Sequence, residues 1–190
     1  MATASQTKLM TAAEFLAADL GEGRFELVRG EVIEVPPPRP DHGRVVSRAG
    51  FSLESYGRST GHGYCLTESA VGTETGPDTV RGPDLSFYSH ARWPEHRVGS
   101  GLPPVPPDLT VEVLSPSNRF TAILQKVGEY VEAEVLIVWV INPRRRYVAI
   151  YRLSDDEATY VRDGEYIESL PELPGFRCAV ADFFPPAPAQ

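Results

Sequence analysis

Apolar residues recur along this chain with two spacings, one typical of helices and one typical of strands. A short helix is predicted at 11–20, where Thr11 and Glu14 have the spacing of a capping box. Helical spacing recurs at 42–59 and at 120–134. The last of these segments carries an apolar stripe formed by Phe120, Ile123, Val127, Tyr130 and Val131.

Alternation of apolar and polar residues predicts strands in much of the remaining sequence. Residues 25–35 and 158–169 each alternate on both sides of a glycine-containing turn, which predicts two hairpins. Residues 64–74 predict one further strand. The continuous apolar run at 136–142 is typical of a central strand buried on both faces. This order favours an α/β (α+β) fold, in which a mixed central sheet is flanked by helices and carries extra β-hairpins.

Length and composition favour a single domain. A chain of 190 residues is long enough for one hydrophobic core and short for two domains. We expect a mobile leader at 1–8, the domain at 9–184 and a disordered tail of proline and alanine at 185–190. No apolar run is long enough for a transmembrane helix, so no membrane association is expected. Glu14 and Asp19 interrupt the only apolar candidate for a signal peptide.

Charge and cysteine usage narrow the function classes. The net charge of −8 counts against a non-specific nucleic-acid binder, but it is compatible with a nuclease that has a local basic groove. Cys65 and Cys178 match no zinc or redox spacing, and we expect free thiols in a reducing cytoplasm. The chain has sixteen arginines and two lysines, so a lysine inside a motif, such as Lys126, is informative.

Two acidic residues lie in or beside short apolar strands. Asp84 belongs to the segment PDLSFY, and Glu112 belongs to the segment LTVEVL. Alternation places Asp84 on the face opposite Leu85, and it places Glu112 on the face opposite Val111 and Val113. A carboxylate inside an apolar strand is costly to bury unless it is paired or bound to a metal. Both acids are therefore candidate site residues.

Together with Lys126, these acids can support phosphodiester hydrolysis. Magnesium and manganese favour carboxylate oxygens, and a bound ion can neutralise phosphate charge and activate water. Asp84 is the first candidate metal ligand, Glu112 is the second, and the main-chain carbonyl of Val113 offers a third oxygen. Lys126 would position the water. Glu26 would either bind the metal from the other side or hydrogen-bond Lys126.

Several other polar residues have simpler structural explanations. His42 can cap the following helix or hydrogen-bond within a loop, and it can also take part in the site. Ser117 or Asn118 can cap the last predicted helix, and Tyr130 is expected in the core. The arginines at 144–146 could contact a phosphate backbone, although a solvated turn accounts for them more simply.

Six strings occur in order along the chain: RFELVRGEV, PPRPDHGRVV, RGPDLSF, DLTVEVLSPSNR, VWVINP and LPGF. This ordered set resembles the Uma-type family of endonucleases, which belongs to the PD-(D/E)XK restriction-endonuclease-like superfamily. The resemblance extends over nearly the whole chain, from residue 9 to residue 184. No single string is specific by itself, since a bare PD dipeptide is a weak signal, whereas the ordered set is specific.

The resemblance implies a three-layer α/β/α fold with a mixed sheet, and a nuclease that uses Mg²⁺ or Mn²⁺. The acids of the family fall on Glu26, Asp84 and Glu112. The lysine that usually lies two residues after the second acid is absent, because Leu114 occupies that position. Lys126, on the following helix, matches the lysine that replaces it in this family.

Functions from different classes remain open. One is a metal-dependent endonuclease that cuts DNA, which the joint presence of Glu26, Asp84, Glu112 and Lys126 favours. Another is a non-catalytic binding or regulatory module that keeps the fold, which the acidic net charge favours. A metal hydrolase for another phosphoester is a third. A homodimer is expected by analogy with restriction-type nucleases.

Overall fold

The computed structural model describes residues 9–115 and 120–185. Within these ranges the chain forms three α-helices, twelve strands and two short 3₁₀ turns. The helices are α1 (Ala12–Ala17), α2 (Pro40–Thr60) and α3 (Phe120–Glu132). The strands are β1 (Arg24–Val28), β2 (Glu31–Val35), β3 (Gly63–Thr67), β4 (Val71–Glu74), β5 (Thr79–Arg81), β6 (Leu85–Ser89), β7 (Leu109–Val113), β8 (Ile137–Asn142), β9 (Tyr147–Arg152), β10 (Thr159–Arg162), β11 (Tyr166–Glu168) and β12 (Arg177–Ala179).

Six strands form a mixed sheet in the order β10-β9-β8-β7-β6-β3. β7 and β8 are parallel and are connected through α3, whereas the other neighbouring strands are antiparallel. α2 packs on one face of the sheet through Val45, Ala49 and Leu53, and α3 packs on the other face through Ile123 and Val127. The sheet is therefore a central layer between helices, which confirms the predicted fold class.

The apolar run at 136–142 supplies β8, which lies inside the sheet as predicted. Trp139 and Ile141 belong to the core on the α2 side, whereas Val138 and Val140 belong to the core on the α3 side. Because both faces of this strand are buried, its sequence has no alternation between apolar and polar residues.

A second sheet has the strand order β2-β1-β5-β4. It packs with α1 around a smaller core that contains Phe15, Leu27 and Val80. Thr11 and Glu14 form the predicted capping box at the start of α1. The side chains of these two residues satisfy backbone N–H groups that a helix of only six residues would otherwise leave unpaired.

The predicted hairpin at 25–35 is present as β1 and β2. β1 also pairs with β5 in the antiparallel sense, with Leu27 opposite Val80. This register makes Glu26 and Arg81 cross-strand neighbours on the face that points away from the small core. The second sheet thus carries two charged residues towards α3.

The prediction of a single strand at 64–74 is wrong. β3 pairs with β6 at the edge of the main sheet, whereas β4 pairs with β5 in the second sheet. Between them Glu68 adopts a left-handed conformation with φ of 51°, which breaks the extended chain. The segment is therefore the connection between the two sheets.

The predicted hairpin at 158–169 has the correct turn but the wrong pairing. Gly164 adopts a φ of 94° in the turn, as a glycine there allows. β10 pairs with β9 and extends the main sheet, whereas β11 pairs with β12. Ile167 of β11 is buried in the core on the α2 side, together with Cys178, its partner on β12.

The helix α2 begins earlier than the sequence predicts. It starts at Pro40, a residue suited to a first helical position, and Arg39 is its N-cap without a side-chain hydrogen bond. Neither Asp41 nor His42 caps the helix. Asp41 lies in the first turn, where a carboxylate interacts favourably with the helix dipole, and His42 turns inward and is buried.

Some predictions concern residues outside the described ranges. These are the leader at 1–8, the caps at Ser117 and Asn118, and the tail predicted at 185–190 apart from its first residue, Pro185. Cys65 and Cys178 are free thiols, as predicted. No helix in the described part of the chain is both long enough and apolar enough to cross a membrane.

Candidate active site

Asp84 and Glu112 are brought together by the pairing of β6 with β7. Leu85 lies opposite Val111 in this antiparallel pair. Continued by one residue, the register sets Asp84 opposite Glu112, and residues in that relation have Cβ atoms about 4.5–5.5 Å apart. The backbone N–H of Val113 donates a hydrogen bond of 2.7 Å to Asp84 Oδ2. Both carboxylates are buried.

Lys126 connects two of the acids. Its Nζ lies 2.7 Å from Glu26 Oε1 and 3.3 Å from Glu112 Oε1. Ile123 and Tyr130, which lie three residues before and four residues after Lys126, are both buried. α3 therefore holds the lysine at the border of the core, as its spacing predicts. Of the two alternatives for Glu26, the structure contains the hydrogen bond to Lys126.

Arg81 is a site residue that the sequence does not single out. Its guanidinium binds both oxygens of Glu129, through Nε at 2.5 Å and Nη2 at 2.8 Å. Its Nη1 donates to Glu26 Oε2 at 2.8 Å. The backbone N–H of Gly82 donates to the other Glu26 oxygen at 3.2 Å. A bidentate arginine contact of this kind fixes orientation as well as charge.

Tyr130 is buried, as predicted for a core residue, but its hydroxyl also belongs to the site. The hydroxyl donates a hydrogen bond of 2.8 Å to Glu112 Oε1, the oxygen that Lys126 also contacts. Both of these contacts are to the same Glu112 oxygen. The spacing of four residues between Lys126 and Tyr130 places both on one side of α3, and this spacing is the sequence signal that could have identified Tyr130.

His42 reaches the site from the first turn of α2. Its Nε2 lies 3.2 Å from Asp84 Oδ2. The Asp84 hydrogen bond raises the pKa of His42, burial opposes that rise, and a contact with the backbone carbonyl of Val113 adds to it. The other ring nitrogen, Nδ1, is buried and has no hydrogen-bond partner among the described residues.

The ion pair between Glu26 and Lys126 is held in its charged form. Burial raises the pKa of Glu26, but Lys126 and Arg81 outweigh burial and lower that pKa below its ordinary value. Burial lowers the pKa of Lys126, but Glu112 and Glu26 outweigh burial and raise it. Lys126 is therefore a cation at neutral pH, and Glu26 is an anion.

The pKa of Glu112 is shifted in the opposite direction from that of Glu26. The pKa of Glu112 is raised to about 7, mainly because the carboxylate is buried. The positive charge of Lys126 lowers this pKa, whereas the negative charge of Asp84 raises it further. The ionised form of this carboxylate is thus destabilised by its surroundings, because it has lost water and faces a second acid. A cation between Asp84 and Glu112 would offset both effects.

The donor set at Asp84 and Glu112 fits a divalent ion that prefers oxygen. Mg²⁺ usually takes one or two protein carboxylates and keeps waters or substrate oxygens as its other ligands. Asp84, Glu112 and the main-chain carbonyl of Val113 supply oxygens of this kind. In the described ranges, His, Cys, Asp and Glu side chains form no ready-made group of three or more that could hold a metal. An ion held by Asp84 and Glu112 would take its remaining ligands from water and substrate oxygens.

A cavity of about 670 Å³ opens onto these groups. Its volume lies within the range of pockets that hold small ligands. Arg24, Phe25 and Arg39 are part of its walls, and the Arg24 guanidinium lies 3.5 Å from Glu68, which also lines the cavity. The lining also includes all of the residues predicted for the site, namely Glu26, His42, Asp84, Glu112, Val113 and Lys126.

A solved structure shares this fold. The crystal structure of a "putative nuclease belonging to DUF820" from Anabaena variabilis ATCC 29413 has a TM-score of 0.78 and 21% sequence identity, and it covers 92% of this chain and 97% of that chain. At this identity the similarity establishes the fold alone. Among curated proteins, no sequence matches this chain.

Family membership follows from the sequence itself. The pattern of the Uma2 family, described as "Putative restriction endonuclease", matches residues 12–181. This span contains the whole candidate site, from Glu26 to Lys126. It confirms the resemblance found in the ordered strings. The chain therefore belongs to the Uma2 family of "Putative restriction endonuclease" proteins.

Proposed function

We propose that this chain is a metal-dependent endonuclease that hydrolyses phosphodiester bonds in DNA. The observation that carries the proposal is the convergence of Asp84, Glu112 and Lys126, from two strand segments and a helix, on one cavity. A carboxylate pair beside a lysine provides both a site for a divalent ion and a fixed positive charge. Membership of the Uma2 family supports a nuclease as the reaction class.

Asp84, Glu112 and the main-chain carbonyl of Val113 would hold Mg²⁺ or Mn²⁺. When bound, such an ion would neutralise phosphate charge and lower the pKa of a water molecule that it holds. His42 acts as a positioning residue, because its Nε2 lies 3.2 Å from Asp84 Oδ2. The N–H of Val113 binds the same oxygen at 2.7 Å, so two donors fix the orientation of this carboxylate.

Lys126 donates hydrogen bonds and does not accept protons in this proposal. The acids around it raise its pKa, so it stays protonated at neutral pH. A protonated amine can orient the attacking water and stabilise negative charge that develops on the phosphate. Glu26 holds Lys126 at 2.7 Å, and Arg81 in turn holds Glu26 at 2.8 Å. Glu26 and Arg81 are thus positioning residues for Lys126.

The charge of the cavity is suited to a phosphate only together with a bound divalent ion. The net charge of −8 would disfavour contact with DNA if it were spread evenly. The cavity lining contains both signs of charge, with the cations Arg24, Arg39 and Lys126 beside the acids Glu26, Glu68, Asp84 and Glu112. A divalent ion at Asp84 and Glu112 would offset the charge of these two carboxylates, so that a phosphate could enter the cavity.

The proposal is tested by incubating the native protein with single- and double-stranded DNA, in Mg²⁺ or Mn²⁺ and in a chelator. We expect strand cleavage that requires the metal and that Asp84→Asn abolishes, because the variant loses one anionic ligand. Asp155→Asn is the matched control, since Asp155 is exposed and pairs with Arg152 away from the cavity. Folded native protein that cuts neither form of DNA would favour the non-catalytic module instead.

A further inference from the structure

A second cavity, of about 790 Å³, adjoins the active-site cavity, and Ser115 lines both. We call it the basic-aromatic groove after four of the residues that line it, Arg145, Tyr147, Tyr160 and Arg162. None of these four residues takes part in the chemistry proposed for the carboxylates and Lys126. Their type and their place in the sheet indicate a binding surface for an extended substrate.

The register of the main sheet leads from Glu112 to this groove. Val140 on β8 lies opposite Glu112, and Ala149 on β9 lies opposite Val140. Tyr160 on β10 in turn lies opposite Ala149. Cross-strand neighbours share a face of the sheet, so Tyr160 lies on the same face as Glu112. Three strand spacings of about 4.8 Å separate the two residues by about 14 Å.

Positive charge in the groove comes from Arg145 and Arg162. Both residues are exposed, and within the described part of the chain neither guanidinium forms an ion pair. Their backbone N–H groups bind Asn142 and Glu165, respectively, which fixes the main chain from which the side chains extend. Arg162 lies opposite Tyr147 in the sheet, so the two residues are cross-strand neighbours on one face.

The aromatic part of the groove is exposed as well. Tyr160 is 46% exposed, a large value for an aromatic side chain on a sheet. Its ring packs edge-to-face with that of Tyr147, with ring centroids 5.4 Å apart. An exposed ring that is held in place by a neighbour, with arginines beside it, is the arrangement on which single-stranded nucleic acids stack their bases.

We propose that the basic-aromatic groove binds a single-stranded segment of the nucleic acid whose phosphodiester lies at Asp84 and Glu112. Arg145 and Arg162 contact its phosphates, and Tyr160 stacks against a base. This inference rests on the proposed function, because it extends the same substrate along the sheet. A single strand fits better than a duplex because a base can lie flat on a side-chain ring only when it is outside the base-paired stack.

The test measures how tightly a fluorescently labelled single-stranded oligonucleotide of mixed sequence binds the protein in a chelator. We expect Arg145→Ala and Arg162→Ala each to weaken binding about tenfold, because each removes a charged hydrogen bond. Each should also reduce the slope of log K against log salt by about 0.7. Tyr160→Ala should weaken binding about tenfold, whereas Tyr160→Phe keeps the ring and should bind like the native protein.

Arg144→Ala is the matched control for charge. Arg144 is exposed in the same turn as Arg145 but does not line the groove, so its replacement should leave affinity close to native. Cleavage gives a second readout. On a long single strand the groove variants should raise KM and leave kcat unchanged. Cleavage of a dinucleotide, which cannot span about 14 Å, should be unaffected.

The outcomes separate this inference from the proposed function. One outcome overturns the groove proposal and leaves the endonuclease proposal standing. In that outcome the protein cleaves DNA, and the variants bind the oligonucleotide as tightly as the native protein does, namely Arg145→Ala, Arg162→Ala and Tyr160→Ala. Equal binding of duplex and single strand, with no effect of Tyr160→Ala, overturns the assignment to a single strand. Native protein that neither binds nor cleaves overturns both proposals.

Discussion

Replacing Lys126 with methionine is expected to lower kcat for DNA cleavage about a thousandfold, a size typical of losing one group that orients water or stabilises charge in the transition state. The Lys126 ammonium is the charged donor that contacts both Glu26 and Glu112, at 2.7 Å and 3.3 Å. Methionine has similar length but no charge and no hydrogen-bond donor. Single-turnover kinetics at saturating DNA would measure the change.

The control for this experiment is Lys8→Met, which alters the only other lysine in the chain. Lys8 precedes the span of 12–181 that matches the family, so we expect native activity from this variant. Denaturant unfolding of both variants would show that each is folded. A folded Lys126→Met protein with native kcat would exclude the proposed role of the lysine.

Replacing Arg81 with methionine is expected to lower the free energy of unfolding by about 3–5 kcal/mol, the usual cost of removing one partner from a buried ion pair. Arg81 is largely buried, and its guanidinium lies between Glu26 and Glu129. Without it, Glu26 would keep Lys126, but Glu129 would keep only the neutral Gln125 amide at 2.9 Å. Urea unfolding monitored by circular dichroism would measure the difference.

Arg29→Met is the matched control for Arg81→Met. Arg29 lies in the turn between β1 and β2, its side chain is 72% exposed, and its ion pair with Glu74 is 3.5 Å long. Exposed pairs of this kind contribute little, so we expect a change within about 0.5 kcal/mol. Equal unfolding midpoints for native protein and Arg81→Met would show that the charge network does not stabilise the fold.

The sequence identifies much of the site because its chemistry is local. Glu112 stands out as an acid in an apolar strand, and Asp84 stands out at the start of another. Lys126 stands out because lysine is rare in this chain and because it borders an apolar helical stripe. The structure brings all three residues to one cavity. Their catalytic and metal-binding roles remain predictions for experiment.

The residues that the sequence does not reveal depend on contacts between distant segments. Arg81 binds Glu129 and Glu26, which lie 48 and 55 positions away in the chain. Those contacts follow from the pairing of β1 with β5 and from the packing of α3, and no local pattern encodes either. The errors at 64–74 and 158–169 have the same origin, because alternation predicts that a strand exists but not which strand it joins.

Mn²⁺ titration by calorimetry is the most direct test that Asp84 and Glu112 form a metal-dependent active site. We predict a single binding event in the native protein, and its loss together with metal-dependent cleavage in Glu112→Gln. Glu132→Gln, which alters an exposed acid on the same helix as Lys126, should behave like the native protein in both assays. Native metal affinity and native cleavage in a folded Glu112→Gln protein would contradict the proposed site.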